Sequence, residues 1–146
     1  MTPNLIAEQS HIPPGIGIDI VDLDRFKRAF QRKGFVRRIF TDSEIELCES
    51  KRDPLPSFAA RFAIKEAFCK ALSDPGFKSV PWKQIETISE DNIHAIRLSS
   101  SLQKRISGRQ IYLSLTHSSR MAAAVVLLIP VSATGNNQDR YSGARL

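Results

Sequence analysis

The stretch from Phe58 to Leu72 constrains the fold of this chain more than any other. Eleven of its fifteen residues are apolar or alanine, and at about 3.6 residues per turn they lie on every side of a helix. Ser57, after Pro56, is a suitable N-cap, and the polar turn at 73–76 ends the helix. Because a helix that is apolar all round is usually buried, we expect the rest of the chain to pack around it.

Strand and helix signals lie on both sides of this helix. Gly15 to Val21 alternates as a strand, with three isoleucines on one face and Gly17, Asp19 and Val21 on the other. Asp22 or a neighbour caps a basic helix from Leu23 to Arg38. The other predicted elements are a helix over 41–50 with a Thr41–Glu44 capping box, strands over 85–89, 93–98, 111–116 and 122–129, a short helix over 101–107, and a hairpin turn over 117–120.

The length of 146 residues is that of one domain. We expect a flexible leader over residues 1–14, a single domain over 15–130 and a disordered polar tail over 131–146. The longest apolar run, 121–129, is too short to cross a bilayer, and the N-terminus has no secretory signal pattern. Cys48 and Cys69 suit a reducing compartment and rule out a structural zinc site of cysteines. These features predict a cytoplasmic protein that does not bind a membrane.

Positive charge is concentrated in one segment. The net charge is +6, yet residues 25–38 hold seven cations and no acid, so the remainder is close to neutral. A solvated helix face is the simplest explanation, but this density favours a surface that docks an acidic partner. A nucleic-acid-binding module would also explain the charge through phosphate contacts. That alternative leaves the apolar helix unexplained, and the phenylalanines of this segment read as core positions and not as a stacking platform.

Two carboxylates stand where the surrounding pattern does not favour them. Glu66 shares a helix face with alanines and Phe62, where a buried carboxylate must be paired, protonated or bound to a metal. An ion pair with Lys70 is the simplest explanation. Asp19 lies among the isoleucines of the first strand, unless that strand ends at Ile18 and Asp19 begins a turn. Alternatively the two carboxylates meet, because Mg²⁺ is commonly held by one or two carboxylates with substrate phosphates.

His117 lies in a polar turn at the end of an apolar strand. Its neighbours are Thr116, two serines and Arg120. A single histidine in a turn is more often incidental than catalytic. Hydroxyls, an imidazole and a guanidinium together would nevertheless suit a phosphate.

Three blocks of sequence occur in a specific order. They are GIGIDIV at 15–21, RFAIKEAFCKA at 61–71, and SLTHS at 114–118 followed by MAAAVV at 121–126. Together they resemble the holo-acyl-carrier-protein synthases, the small single-domain members of the 4′-phosphopantetheinyl transferase superfamily. The resemblance covers approximately residues 15–129, and the second block makes it specific.

The resemblance implies a fold and an activity. The fold is α+β, with a small antiparallel sheet packed on a long central helix. The enzyme moves the 4′-phosphopantetheine group of coenzyme A to a serine of apo acyl carrier protein, requires Mg²⁺ and releases adenosine 3′,5′-bisphosphate, in support of fatty acid biosynthesis. The active form is a homotrimer with its sites at subunit boundaries, and no nucleic acid is involved.

The resemblance also implies roles for individual residues. Glu66, Lys70 and His117 are the candidate catalytic residues, and the serine proton would go to Glu66 or to a metal-bound water. The remaining roles are Asp19 and Glu66 as magnesium ligands, Lys70 with Thr116 and His117 at the phosphates and nucleotide of coenzyme A, and Arg25, Arg28 and Arg61 at the acidic carrier protein.

One segment departs from the family pattern. Where the family usually has Gly-Lys-Pro in the sheet region, this chain reads Asp91-Asn92-Ile93-His94. A contact from that lysine to the substrate is therefore missing here. A relative that binds coenzyme A without transferring the arm is the alternative that this departure leaves open, although Asp19, Glu66 and Lys70 are all present.

Overall fold

The structure, a computed structural model, describes residues 13–72, 82–90 and 93–131. The turn predicted at 73–76 and nearly all of the predicted leader and tail lie outside these residues. The elements are β1 (Gly15–Asp22), α1 (Leu23–Phe30), α2 (Phe35–Ile39), α3 (Asp42–Glu49), α4 (Pro54–Leu72), a 3₁₀ turn (Trp82–Gln84), β2 (Ile85–Glu90), β3 (Ile93–Leu98), α5 (Ser100–Arg105), β4 (Arg109–His117) and β5 (Met121–Pro130).

The strands form two antiparallel sheets. The larger sheet has the order β1-β5-β4, and β2 pairs with β3 in a separate hairpin. Asp19 lies opposite Ala124 in the β1–β5 ladder, so β1 continues through Asp19 and does not end at Ile18. The β4–β5 hairpin confirms the turn predicted at its end, although His117 is the last residue of β4 and not part of the turn.

The central helix α4 is buried on most of its sides. It packs mainly on β1 and β5, and its buried residues form the middle of the hydrophobic core. The prediction that it begins after Ser57 was wrong, since it begins at Pro54. The Asp53 carboxylate accepts the Leu55 N–H at 3.3 Å, and proline suits a first helical turn because it has no N–H to satisfy.

Glycine allows β1 to lie directly against α4. A Cβ on Gly17 would come within 1.9 Å of the Ala67 carbonyl oxygen, and one on Gly15 within 2.0 Å of that of Ala71. Any larger side chain would push the strand away from the helix. This close approach fixes the position of Asp19, the next residue of β1 that faces α4.

A buried ion pair joins α4 to α3. Lys65 Nζ donates to Glu44 Oε2 at 2.7 Å and to the Ile39 carbonyl at 2.9 Å, and both side chains are almost fully buried. Glu44 Oε1 accepts from the N–H and the hydroxyl of Thr87, each at 2.8 Å. The Thr41–Glu44 capping box is confirmed as well, so one carboxylate begins α3 and holds α4 and β2 in place.

The basic segment forms two helices and not the single helix predicted over 23–38. Asp22 caps α1 through the Arg25 N–H at 2.8 Å, as expected. Gly34 adopts a φ of 79°, in the left-handed region, where the chain turns into α2. All seven cations of the segment are exposed. None of the helices in the described part of the chain has the length and apolar character needed to cross a bilayer.

Candidate active site

Asp19 and Lys70 meet at the edge of α4 that faces β1. Lys70 Nζ donates to Asp19 Oδ1 at 2.8 Å and to the Ile18 carbonyl at 3.0 Å. Glu66, one helical turn before Lys70, lines the same cavity as Asp19. The structure thus brings Asp19, Glu66 and Lys70 together, although they lie far apart in the sequence.

The electrostatics of Glu66 are those of a carboxylate that lacks sufficient positive charge. Burial is the main cause that raises its pKa, and the neighbouring charge of Asp19 raises it further, while Lys70 lowers it. Within residues 13–72, 82–90 and 93–131, no group of three or more His, Cys, Asp or Glu side chains is arranged to hold a metal ion. Two carboxylates nevertheless fit Mg²⁺, which keeps waters and takes further oxygen ligands from substrate phosphates.

The cavity beside these carboxylates, which we call the acidic cleft, has an aromatic floor. Its volume is ≈ 450 Å³. Phe26, Phe35 and Phe62 line it, and Arg25 stands at its rim on α1. Phe26 contacts both other rings, with centroids 5.8 and 5.4 Å away. The cleft therefore places an apolar surface and an exposed arginine next to the candidate metal ligands.

His117 lies in a second cavity of ≈ 330 Å³, which we call the cationic pocket. Lys51, Arg61 and His94 line it as well. Arg61 is only 6% exposed, and its Nη1 donates to the Ser57 hydroxyl at 2.9 Å. Its buried Nε has no hydrogen-bond partner among the described residues. A buried guanidinium with a free donor, close to two imidazoles, suits an anion.

The helix α4 separates the two cavities. Asp19 is on β1 and His117 on β4, the two outer strands of the sheet, with β5 between them. Neighbouring strands lie about 4.8 Å apart, so β1 and β4 are two strand spacings apart. The helix α4 packs over β1 and β5, between the two side chains. One chain therefore does not bring His117 to the acidic cleft.

The other predicted site residues are Thr116 and three arginines, and they lie in different parts of the structure. Thr116 is exposed on the opposite face of the sheet from His117. Arg25 and Arg28 are exposed on α1, as a docking surface requires. Arg61, predicted to contact the carrier protein, is buried in the cationic pocket instead, held by Ser57. The sequence did not identify His94 as a residue that lines a cavity. The only signal was its place in the segment 91–94, which differs from the family pattern.

Comparison with known proteins assigns a class to this fold. The model of the 4′-phosphopantetheinyl transferase superfamily matches residues 15–126, which include both cavities. The chain belongs to that superfamily and is a phosphopantetheinyl transferase.

Individual relatives narrow the class. The holo-[acyl-carrier-protein] synthase of Chlamydia trachomatis is 37% identical over 115 residues, which cover 77% of this chain and 97% of that protein. The crystal structure of the Helicobacter pylori holo-[acyl-carrier-protein] synthase with coenzyme A is 33% identical, with a TM-score of 0.67 over 77% of this chain and 98% of the other. The Bacillus anthracis synthase in complex with CoA (3′,5′-ADP) is 30% identical, with a TM-score of 0.66 over 81% and 96%. These similarities confirm the predicted α+β fold of a sheet packed on a long central helix.

Proposed function

We propose that this chain transfers the 4′-phosphopantetheine group of coenzyme A to a serine of apo acyl carrier protein, in a magnesium-dependent reaction that releases adenosine 3′,5′-bisphosphate. We also propose that it acts in the cytoplasm, in support of fatty acid biosynthesis. The observation that carries the proposal is the meeting of Asp19, Glu66 and Lys70 at one edge of α4. Relatives that bind coenzyme A support the choice of co-substrate.

Asp19 and Glu66 would hold the magnesium ion. The raised pKa of Glu66 supports this assignment, because burial and then the charge of Asp19 disfavour its ionised form, and a bound cation would offset both. When bound by these two carboxylates, Mg²⁺ would neutralise part of the charge that develops on the leaving phosphate.

Lys70 is placed to act on the same phosphates. Its ammonium already neutralises Asp19, and the same positive charge would attract the phosphates of coenzyme A. Glu66 lies within this group, and we assign it the proton of the attacking serine in addition to its part in metal binding. Most of the rate enhancement then comes from the positions of these groups relative to substrate.

The cationic pocket would bind the nucleotide half of coenzyme A. The guanidinium of Arg61 gives the pocket a fixed positive charge, and His117 offers a donor. We therefore propose a phosphate contact for Arg61, in place of the contact with the carrier protein that the sequence suggested. Thr116, one residue before His117 but on the other face of the sheet, would meet the nucleotide only at a subunit boundary.

The exposed arginines of α1 would dock the carrier protein. Arg25 lines the acidic cleft and Arg28 follows it by about one turn of α1, so a carrier helix bound there would bring its serine close to Asp19 and Glu66. Opposite charges on the two proteins would speed their encounter and orient it. The aromatic floor of the cleft offers the apolar contact that such a helix needs.

A homotrimer would combine the two cavities. The isoleucines at 16, 18 and 20 are 69, 57 and 62% exposed, and they form an uncovered apolar face in this chain together with Tyr112 and Met121. Monomeric proteins rarely expose so continuous an apolar surface. Burying it between subunits would also bring the acidic cleft of one chain to the cationic pocket of the next, which a single chain does not do.

Product release tests the reaction. Incubated with coenzyme A, Mg²⁺ and an apo acyl carrier protein, the chain should form adenosine 3′,5′-bisphosphate, measured by chromatography. Glu66→Gln should abolish formation, while Asp24→Asn, an exposed carboxylate change on α1, should leave the rate within about twofold. Near-normal turnover by Glu66→Gln would show that the metal assignment is wrong.

A further inference from the structure

His94 lines the cationic pocket and has no part in the proposal above. It lies directly opposite Ser89 in the β2–β3 ladder, with Nδ1 2.9 Å from the Ser89 hydroxyl oxygen. The same hydroxyl accepts from Arg61 Nη2 at 3.4 Å. Because a guanidinium only donates, the hydroxyl proton of Ser89 is available for His94.

We assign the tautomer of His94 from these contacts. With Ser89 donating to Nδ1, the neutral ring carries its proton on Nε2, an assignment that follows from the hydrogen-bond partners. In the imidazolium form both nitrogens donate. Nε2–H is thus a donor in either protonation state, and it is the donor that Ser89 leaves for a ligand.

Charged groups from three sides face His94 in the pocket. Arg61 comes from α4, His117 from β4, and Lys51 and Asp53 from the loop before α4. Burial is the main cause that lowers the pKa of His94, followed by the charges of Arg61 and His117, so the free protein favours the neutral form of the ring. A dianionic phosphate bound there would favour the imidazolium.

We propose that His94 donates its Nε2–H to the 3′-phosphate of coenzyme A and makes the enzyme selective for the 3′-phosphorylated nucleotide. The identity of the ligand rests on the proposed function. Coenzyme A carries a diphosphate, assigned above to the carboxylates and Lys70, and a separate 3′-phosphomonoester. The dianion of that monoester matches the donors of Arg61, His117 and His94, while Ser89 positions the ring.

Substrate discrimination tests the inference. Compared with the wild type, His94→Ala should lower kcat/KM for coenzyme A about tenfold, almost entirely through KM, because a hydrogen bond to a charged group is lost. With 3′-dephospho-coenzyme A the same substitution should change kcat/KM less than about twofold. Arg97→Ala is a matched control on the same strand, since its side chain is exposed and pairs with Glu86. Equal losses with both substrates, or no loss with coenzyme A, would overturn the role of His94.

Direct binding separates this inference from the proposed function. Titration calorimetry of adenosine 3′,5′-bisphosphate in two buffers of different ionisation enthalpy measures the protons taken up on binding. His94→Ala should bind about tenfold more weakly and take up fewer protons than the wild type, whereas its affinity for adenosine 5′-monophosphate should not change. Unchanged proton uptake would contradict the inference. If His94-dependent binding occurs but no carrier protein is modified, the proposed function fails and the inference stands.

Discussion

Three effects act on the pKa of the Glu66 carboxylate, and they do not all act in the same direction. Burial and Asp19 favour the protonated form, and Lys70 favours the ionised form. The net effect raises its pKa, so the ionised side chain destabilises the metal-free protein at neutral pH. This is the pattern expected of a ligand whose stabilising partner is a cation supplied from solution.

Glu66→Gln should therefore stabilise the metal-free protein, but only at pH values above the pKa of Glu66 in the unfolded state. Below the unfolded-state pKa of about 4.3 both side chains are neutral, and the two proteins should have equal free energies of unfolding. As the pH rises through the raised folded-state pKa, the wild type should lose stability relative to the variant. Urea unfolding in EDTA at a series of pH values measures this. Saturating Mg²⁺ should reverse the order, and a pH-independent difference would contradict the raised pKa.

Lys65 differs from Lys70 in that its ammonium is fully buried. Burial lowers its pKa, although Glu44 opposes that effect. Lys65→Met should lower the free energy of unfolding by about 3–5 kcal/mol, because it leaves the Glu44 carboxylate buried without its cation. Arg97→Ala removes an exposed ion pair with Glu86 and should cost less than about 1 kcal/mol. Equal effects in urea unfolding would show that the buried pair contributes no more than the exposed one.

Individual residues could be predicted where the sequence pattern was violated. Asp19 in a strand and Glu66 on an apolar face are both out of place, and the structure brings them together. The Glu44–Lys65 pair was not predictable, since the capping box already explains Glu44 and Lys65 is one of four charges on its helix. The fold gives Lys70 a partner that the sequence did not suggest, since Asp19 lies 2.8 Å from its ammonium, while the ion pair with Glu66 stays a prediction.

At the scale of elements, α1 is the helix that we propose docks the carrier protein. Reversing Arg25 and Arg28 to Glu should raise KM for the carrier protein at least tenfold and leave KM for coenzyme A within about twofold, since the proposal assigns both arginines to the carrier protein. Steady-state kinetics with each substrate varied in turn checks this. Reversal of Arg97, an exposed arginine on β3, is the control. Equal changes in both KM values would contradict a docking role for α1.

Element boundaries were predictable where the signals are local. The caps of α1 and α3 and the five strands followed from side-chain pattern alone. The break between α1 and α2 was missed because seven cations and regular apolar spacing suggested one helix, although Gly34 permits the left-handed turn. The early start of α4 was missed because Ser57 is a good cap, yet its hydroxyl accepts from Arg61 instead.

The whole molecule has an exposed apolar sheet face that the sequence did not reveal. Alternation showed that the isoleucines of β1 share a face, but only the position of α4 shows that this face is the uncovered one. In the proposed trimer, Ile18→Glu should convert the protein to monomers and reduce turnover at least tenfold, because a charge would be buried between subunits. Sedimentation of the variant and of Ser43→Glu, an exposed change on α3, makes the comparison. A trimeric Ile18→Glu would contradict this interface.

The proposed division of the site between subunits predicts complementation. Asp19→Asn and His117→Ala should each be inactive alone, because each damages one cavity. Co-expressed, they should regain about a quarter of the wild-type rate, since some boundaries then combine an intact acidic cleft with an intact cationic pocket. Inactivity of the mixture, with mixed trimers shown to form, would place the complete site within one chain.

Intact-mass spectrometry of an apo acyl carrier protein, incubated with this chain, coenzyme A and Mg²⁺, tests the proposed reaction most directly. The account predicts that the carrier gains the mass of one phosphopantetheine group, and that EDTA abolishes the gain. A carrier mass that stays unchanged with several apo carriers, while the folded chain still binds coenzyme A, would contradict transfer and leave a binding protein in its place.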